Sequence, residues 1–221
     1  AQLLRACPKL HILATSRERL HLRAEQRFKV PPLDLDSAIT LFVQRGQAVD
    51  DNFCITEENR PTLAAICTRL DCLPLALELC AAQIEIFTPA QLLSQLQAHP
   101  LDLLIDGARD LPPQQRTLRI AIARSYELLK PDEQLLFRRL GVFAGGFDLA
   151  AVEAISTLQH SSDLLRALIG KGLVRAETMA DGEQRFFLLE TIREFALEQL
   201  RAHGQEEAVR QWHYQIYLQR F

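Results

Sequence analysis

The chain has 221 residues, 48% apolar and 24% charged, enough for one or two packed cores, so disorder is not the default. A formal net charge of −3 argues against a chain-wide attraction to nucleic acid but leaves room for a local basic patch. No apolar run approaches the roughly 18 residues of a membrane span, and Ala1-Gln2-Leu3-Leu4-Arg5 lacks a signal-peptide pattern; a cytoplasmic location is expected. The chain starts without an initiator methionine and reads as a segment of a longer protein. Its cysteines, Cys7, Cys54, Cys67, Cys72 and Cys80, are odd in number and show no two-residue spacing. Cys67, Cys72 and Cys80 lie among apolar helical residues and are expected as buried free thiols. The histidines are scattered, and neither a metal nor a catalytic cluster is visible.

In chain order, Leu10-His11-Ile12-Leu13-Ala14 has the length and composition of a buried parallel strand, and Thr15, Ser16 and Arg17 would follow at its carboxyl end, where open α/β sheets bind ligands. The partner strands would have to precede Ala1. Phe28 to Leu33 is an extended entry imposed by Pro31 and Pro32. Asp34 or Asp36 can cap a helix carrying Ile39, Leu41, Phe42 and Val43, and Thr56 can cap one carrying Leu63, Ile66, Cys67 and Leu70. Pro74 cannot continue that helix but suits the first turn of the next, in which Leu75, Leu79, Ala82 and Ile86 form a stripe widened by Leu77 and Ala81. Thr88-Pro89-Ala90-Gln91 combines a capping-box spacing with proline at the first helical position.

Gly107 to Pro113 is the best internal boundary. Beyond it, helices are expected over Leu118–Leu129, Asp132–Val142 (ended by Gly145-Gly146), Leu149–Ile155 and Asp163–Ile169. Leu173–Ala176 and Arg185–Leu188 bracket Asp181-Gly182 as a hairpin, and helices follow over Glu190–His203 and from Glu206 onward. Helices followed by a small β-hairpin predict a winged-helix fold. The chain is therefore mainly α, in four parts: residues 1–30, a remnant α/β strand region; 31–110, a helical lid domain; 111–200, a winged-helix domain with a small β-hairpin; and 201–221, the start of a helical repeat region.

Four motifs occur in order: Leu13-Ala14-Thr15-Ser16-Arg17-Glu18; Val30-Pro31-Pro32-Leu33 with Ala38, Leu41 and Phe42; Cys72-Leu73-Pro74-Leu75-Ala76; and Leu188 through Ala196. In this the chain resembles STAND-type signal-transduction ATPases, especially bacterial transcriptional-regulator ATPases of the AfsR and LuxR-associated kind, related to the NB-ARC proteins. The resemblance implies a nucleotide site in which Arg17 reaches the terminal phosphate of ATP and Pro74 packs near adenine, with Thr15, Ser16 and Leu73 beside them. It also implies ATP or ADP with Mg in the full-length protein, signalling or transcription regulation, partner domains of the same chain and possible oligomers.

Two departures stand against it. No Gly-x-x-x-x-Gly-Lys-Ser/Thr loop or magnesium-holding acidic strand occurs, so the isolated segment is expected to be inactive as an ATPase. Leu188-Leu189-Glu190 replaces Met-His-Asp, and Leu189 cannot hydrogen-bond a phosphate, although Glu190 can still cap the following helix. The alternatives are a DNA-binding winged-helix module and a helical interaction scaffold. The helix from Ser161 to Lys171 offers Arg166 and Lys171 against Asp163, and a richer basic set, Arg116, Arg119, Arg124, Arg138 and Arg139, lies on earlier helices. DNA contact is thus expected through another domain.

Overall fold

The computed structural model describes residues 6, 7, 9–16, 20, 22, 23, 25–28, 30–98, 100–104 and 118–218. The Gly107–Pro113 break, Arg116 and Arg17 lie outside them. The fold is mainly helical, with one small antiparallel sheet among the described residues. The expected strand over Leu10–Ala14 does not form: these residues are irregular and exposed, Leu13 almost completely at 99%. A strand requires a ladder partner, and the described residues supply none.

The first unit is helical. Helix α1 (Leu35–Gln47) is capped by Asp34, whose Oδ1 accepts from the Ser37 amide at 2.9 Å, and it buries Ala38, Ile39 and Phe42. Helix α2 (Arg60–Arg69) begins later than Thr56 would dictate, because Thr56 and Asn59 exchange hydrogen bonds in a preceding turn and Asn59 takes the cap position. Leu63, Ile66, Cys67 and Leu70 are buried, as their spacing requires. Pro74 opens α3 (Pro74–Ala81) at its first position. After Ala81 the chain tightens into a 3-10 turn (Ala82–Glu85), which takes Ile86 off the predicted stripe and leaves it 71% exposed. The buried set is instead Ala76, Leu77, Leu79, Cys80 and Ala81. The Thr88 amide donates to Gln91 Oε1 at 2.9 Å, starting α4 (Pro89–Ala98), and α5 (Pro100–Leu103) follows. Helix α1 packs on α3, and α2 on α4.

The second unit contains α6 (Leu118–Glu127), α7 (Pro131–Leu140), α8 (Leu149–Ser156), α9 (Ser161–Gly170), β1 (Arg175–Thr178), β2 (Gln184–Phe187), α10 (Glu190–Ala202) and α11 (Glu206–Leu218). Pro131 opens α7, and the helix ends at Leu140 with Gly141 as its cap, two residues short of the expected Val142. Gly141 lets the helix end approach α10 closely: a Cβ there would stand 3.0 Å from both the Ala196 Cβ and the Leu197 backbone nitrogen. Tyr126, Phe137 and Phe195 bring α6, α7 and α10 together, with ring centroids 5.6 to 6.5 Å apart. The hairpin pairs Arg175 with Phe187 and is tied to the helices through a bridge between Phe147 and Phe186. Gly146 has φ +100°, and a Cβ there would lie 2.5 Å from the Phe187 ring, so glycine lets the hairpin approach. Helix α11 lies on α8 and α10.

Candidate functional site

The residues between α2 and α3 wind back tightly. The Asp71, Cys72 and Leu73 amides donate to the Thr68, Cys67 and Leu70 carbonyls at 3.0, 2.9 and 3.0 Å. This closure holds Asp71 and Cys72 at φ +53° and +50°, two successive non-glycine residues in the left-handed region, where strain marks a position fixed by its surroundings. The turn aims the Asp71 carboxylate at α10. Asp71 Oδ2 accepts the Glu190 amide at 2.8 Å, across 119 positions of sequence. Because the cap residue of α10 is Leu189, which has no side-chain acceptor, Asp71 caps this helix from the other unit.

Charge complementarity surrounds that bond. Arg193 grips Glu190 with Nη2 to Oε1 at 2.6 Å and Nε to Oε2 at 3.0 Å, and Arg69 reaches Oε1 at 3.1 Å. Each side of the joint thus presents one cation and one anion: Arg69 and Asp71 from the corner, Glu190 and Arg193 from α10. Burial pushes the Asp71 carboxyl up from 3.8 to about 6; the Glu190 charge adds to this, against the amide hydrogen bond and the Arg175 and Arg69 charges. Hydrogen bonds from Arg193 hold Glu190 below its ordinary value.

Of the residues expected at a nucleotide site, Arg17 lies outside the described residues, and Thr15 and Ser16 are exposed in irregular chain. Leu73 caps α3, half-buried, and Pro74 is exposed beside it. Most backbone groups of the corner are hydrogen-bonded within the fold. Its amides are committed as above, the Cys72 carbonyl accepts from Leu33 at 3.2 Å, and the Leu73 carbonyl from Leu77 at 3.0 Å. Pro74 is exposed at the corner, with Asp71, Cys72 and Leu73 half-buried beside it. Glu190, expected as a helix cap, binds arginines while Asp71 provides the cap. Sequence reasoning missed Arg69 and Asp71 because their partners lie in the other unit, and Arg193 although it pairs with Glu190 one turn away on α10. The one available signal was an apolar residue, Leu189, at a helix start that needs an acceptor.

Cys67 and Cys80 are buried free thiols, as expected, pushed up to about 12 mainly by desolvation; Cys72, expected to be buried, is only half-buried. No metal-holding cluster occurs among the described residues. An open hollow of about 720 Å³, lined by residues including Arg201, Arg210 and Tyr214, lies along α10 and α11, away from the joint.

In the second unit, α8, a turn and α9 are followed by the β1–β2 hairpin. The exposed positions of α9 are Ser162, Asp163, Arg166 and Gly170, and Arg166 is bound to Asp163 at 3.2 Å. Lys171 is held by the buried Glu133 at 2.6 Å. The hairpin exposes Glu177, Asp181 and Glu183, while Arg175 and Arg185 are half-buried. The basic set read from the earlier helices is also dispersed: Arg138 and Arg139 are buried, Arg119 pairs with Glu198 at 2.6 Å, and Arg124 is exposed.

Residues 129–201 match the family described as a winged helix-turn-helix domain, in agreement with this geometry. The chain is also similar to a protein of Mycobacterium tuberculosis (strain ATCC 25618 / H37Rv) named "Putative HTH-type transcriptional regulator Rv0890c", with 42% identity over 212 residues, 93% of this chain and 24% of the relative. A second protein of the same strain, "Uncharacterized protein Rv0894", is 36% identical over 214 residues, 94% of this chain and 54% of the relative. The chain thus spans about a quarter of the first relative and about half of the second. No described helix is long and apolar enough to cross a membrane.

The raised Asp71 value sets a pH signature. Between about pH 4 and 6 the folded chain retains a proton that the unfolded chain has released, so this group's contribution to stability falls as pH rises through that window. Glu190, being lowered, acts oppositely: its contribution is lost as pH falls below the ordinary glutamate range. Asp71→Asn keeps an acceptor and tolerates the left-handed backbone. It should remove the first effect and retain the second, gaining on the order of 1 kcal/mol relative to wild type as pH rises from 4 to 7. Urea melts across that range check it; parallel stability profiles for the two proteins would contradict the assignment.

Proposed function

We propose that the chain is the winged-helix core of a DNA-binding transcriptional regulator, in which the helical unit holds the winged helix at a fixed joint. The domain match and the name of the Rv0890c relative support the regulator reading. The observation that carries the joint is the cap from Asp71 to Glu190. DNA recognition by this winged helix itself is the alternative that the helix-turn-helix match favours, but the exposed face combines Ser162, Asp163 and Arg166 with an acidic hairpin. Such a face neutralises few phosphates, so most of the regulator's DNA affinity belongs to other parts of it.

The test is binding of this chain to duplex DNA, measured as anisotropy across salt concentrations. About two phosphate contacts should give a slope of roughly −2 in log K against log salt, and weak binding. Tight binding with a slope of about −6 or steeper would transfer DNA recognition to this winged helix.

A nucleotide-responsive joint is a second reading, which rests on the resemblance of the four motifs to STAND-type ATPases and on the place of Leu188-Leu189-Glu190 at the joint. On this reading ATP or ADP with Mg binds the full-length protein through residues beyond those described, and Arg17 and Pro74 border the site. Calorimetry of the isolated chain with ATP and Mg should show neither turnover nor micromolar binding. Micromolar binding would mean that the phosphate-binding groups lie within these 221 residues.

A further inference from the structure

Arg139 is buried in the winged helix, and its recorded contacts include no carboxylate. A guanidinium removed from water must have its charge met by oriented dipoles. Its Nη1 donates to the Ser156 carbonyl, to the Ile155 carbonyl at 3.2 Å and to Thr157 Oγ1 at 2.7 Å. These acceptors form the carboxyl end of α8, where the helix dipole is negative. Trp212 of α11 supplies another surface, with the guanidinium carbon 5.2 Å from the ring centroid. Trp212 is the chain's single tryptophan, and neighbouring His213 packs edge-on against Phe143 at 4.8 Å, so α11 is seated through two aromatic contacts.

What Arg139 grips is the start of the turn between α8 and α9. Thr157 and His160 bound that turn at φ +53° and +62°. The Ser156 and Ser161 hydroxyls bond to each other across it, and Ser161 Oγ also donates to the Leu158 carbonyl at 2.9 Å. The turn fixes the direction in which α9 leaves α8, and hence the presentation of Ser162, Asp163 and Arg166.

We infer that Arg139 is a coupling residue: held between Trp212 and the end of α8, it transmits the position of α11 to the turn that sets α9. The segment following the winged helix thereby regulates the outward face of the helix-turn-helix. This deepens the regulator reading and rests on it for its biological meaning, whereas the coupling itself is a property of the fold.

Hydrogen exchange by mass spectrometry on the full chain tests it, with Trp212→Ala, Trp212→Phe and Arg139→Lys. Trp212→Ala and Arg139→Lys should accelerate exchange over residues 157–164 about tenfold while leaving α1–α4 unchanged. Trp212→Phe should stay close to wild type, because a phenyl face still meets the cation. Unchanged exchange over 157–164 in Trp212→Ala would overturn the coupling, and so would equal acceleration in every element, which marks only general destabilisation. The regulator reading is tested separately by DNA binding of the full-length protein, whose failure would count against that reading without altering the exchange pattern of this chain, so the two can fail separately.

Discussion

A carboxylate that the first helical unit lends to a helix in the second joins the two, beside the packing of α5 on α10. Helix α10 begins with an amide for which Leu189 has no acceptor, and Asp71 meets it from a turn held in a strained conformation. A cap of this kind is worth about 1 kcal/mol, and an amide left buried and unpaired costs about as much again or more. Together these are a sizeable fraction of the margin by which a domain is folded. The surrounding arginines convert one hydrogen bond into a joint with a defined register, since Arg69 and Arg193 share the same Glu190 carboxylate.

The same economy of polar groups recurs inside the winged helix. Arg139, Glu133 and the Ser156–Ser161 pair are buried, and each is matched to a named partner at a helix end or turn. Cations that would make a phosphate-tracking face are thereby turned inward: Arg138 donates to the Tyr126 hydroxyl at 2.7 Å, and Lys171 holds Glu133. What remains outside α9 and the hairpin is close to neutral or acidic.

Much of the fold was legible because it rests on local signals. Proline at the first turn of α3, α4 and α7, the Thr88–Gln91 box and the Asp34 cap are written within four residues of the helices they start. The hairpin around Asp181-Gly182 was equally local. Helix ends were less legible: α7 ends two residues before Val142, and Asn59 displaces Thr56 as the cap of α2 through a local turn in which the two exchange hydrogen bonds. The strand expected at Leu10–Ala14 needs neighbours that composition cannot provide. At the candidate site the apolar corner around Pro74 was visible, but Asp71 was not, because its partner is a backbone amide 119 positions away.

The central claim is that the Asp71 carboxylate seats the winged helix on the helical unit. Small-angle X-ray scattering of wild type and Asp71→Gly tests it most directly, since glycine adopts φ +53° without strain while the side chain with its carboxylate is lost. The account predicts a larger radius of gyration and a broadened distance distribution for the folded variant. Superimposable scattering from the two proteins would contradict it.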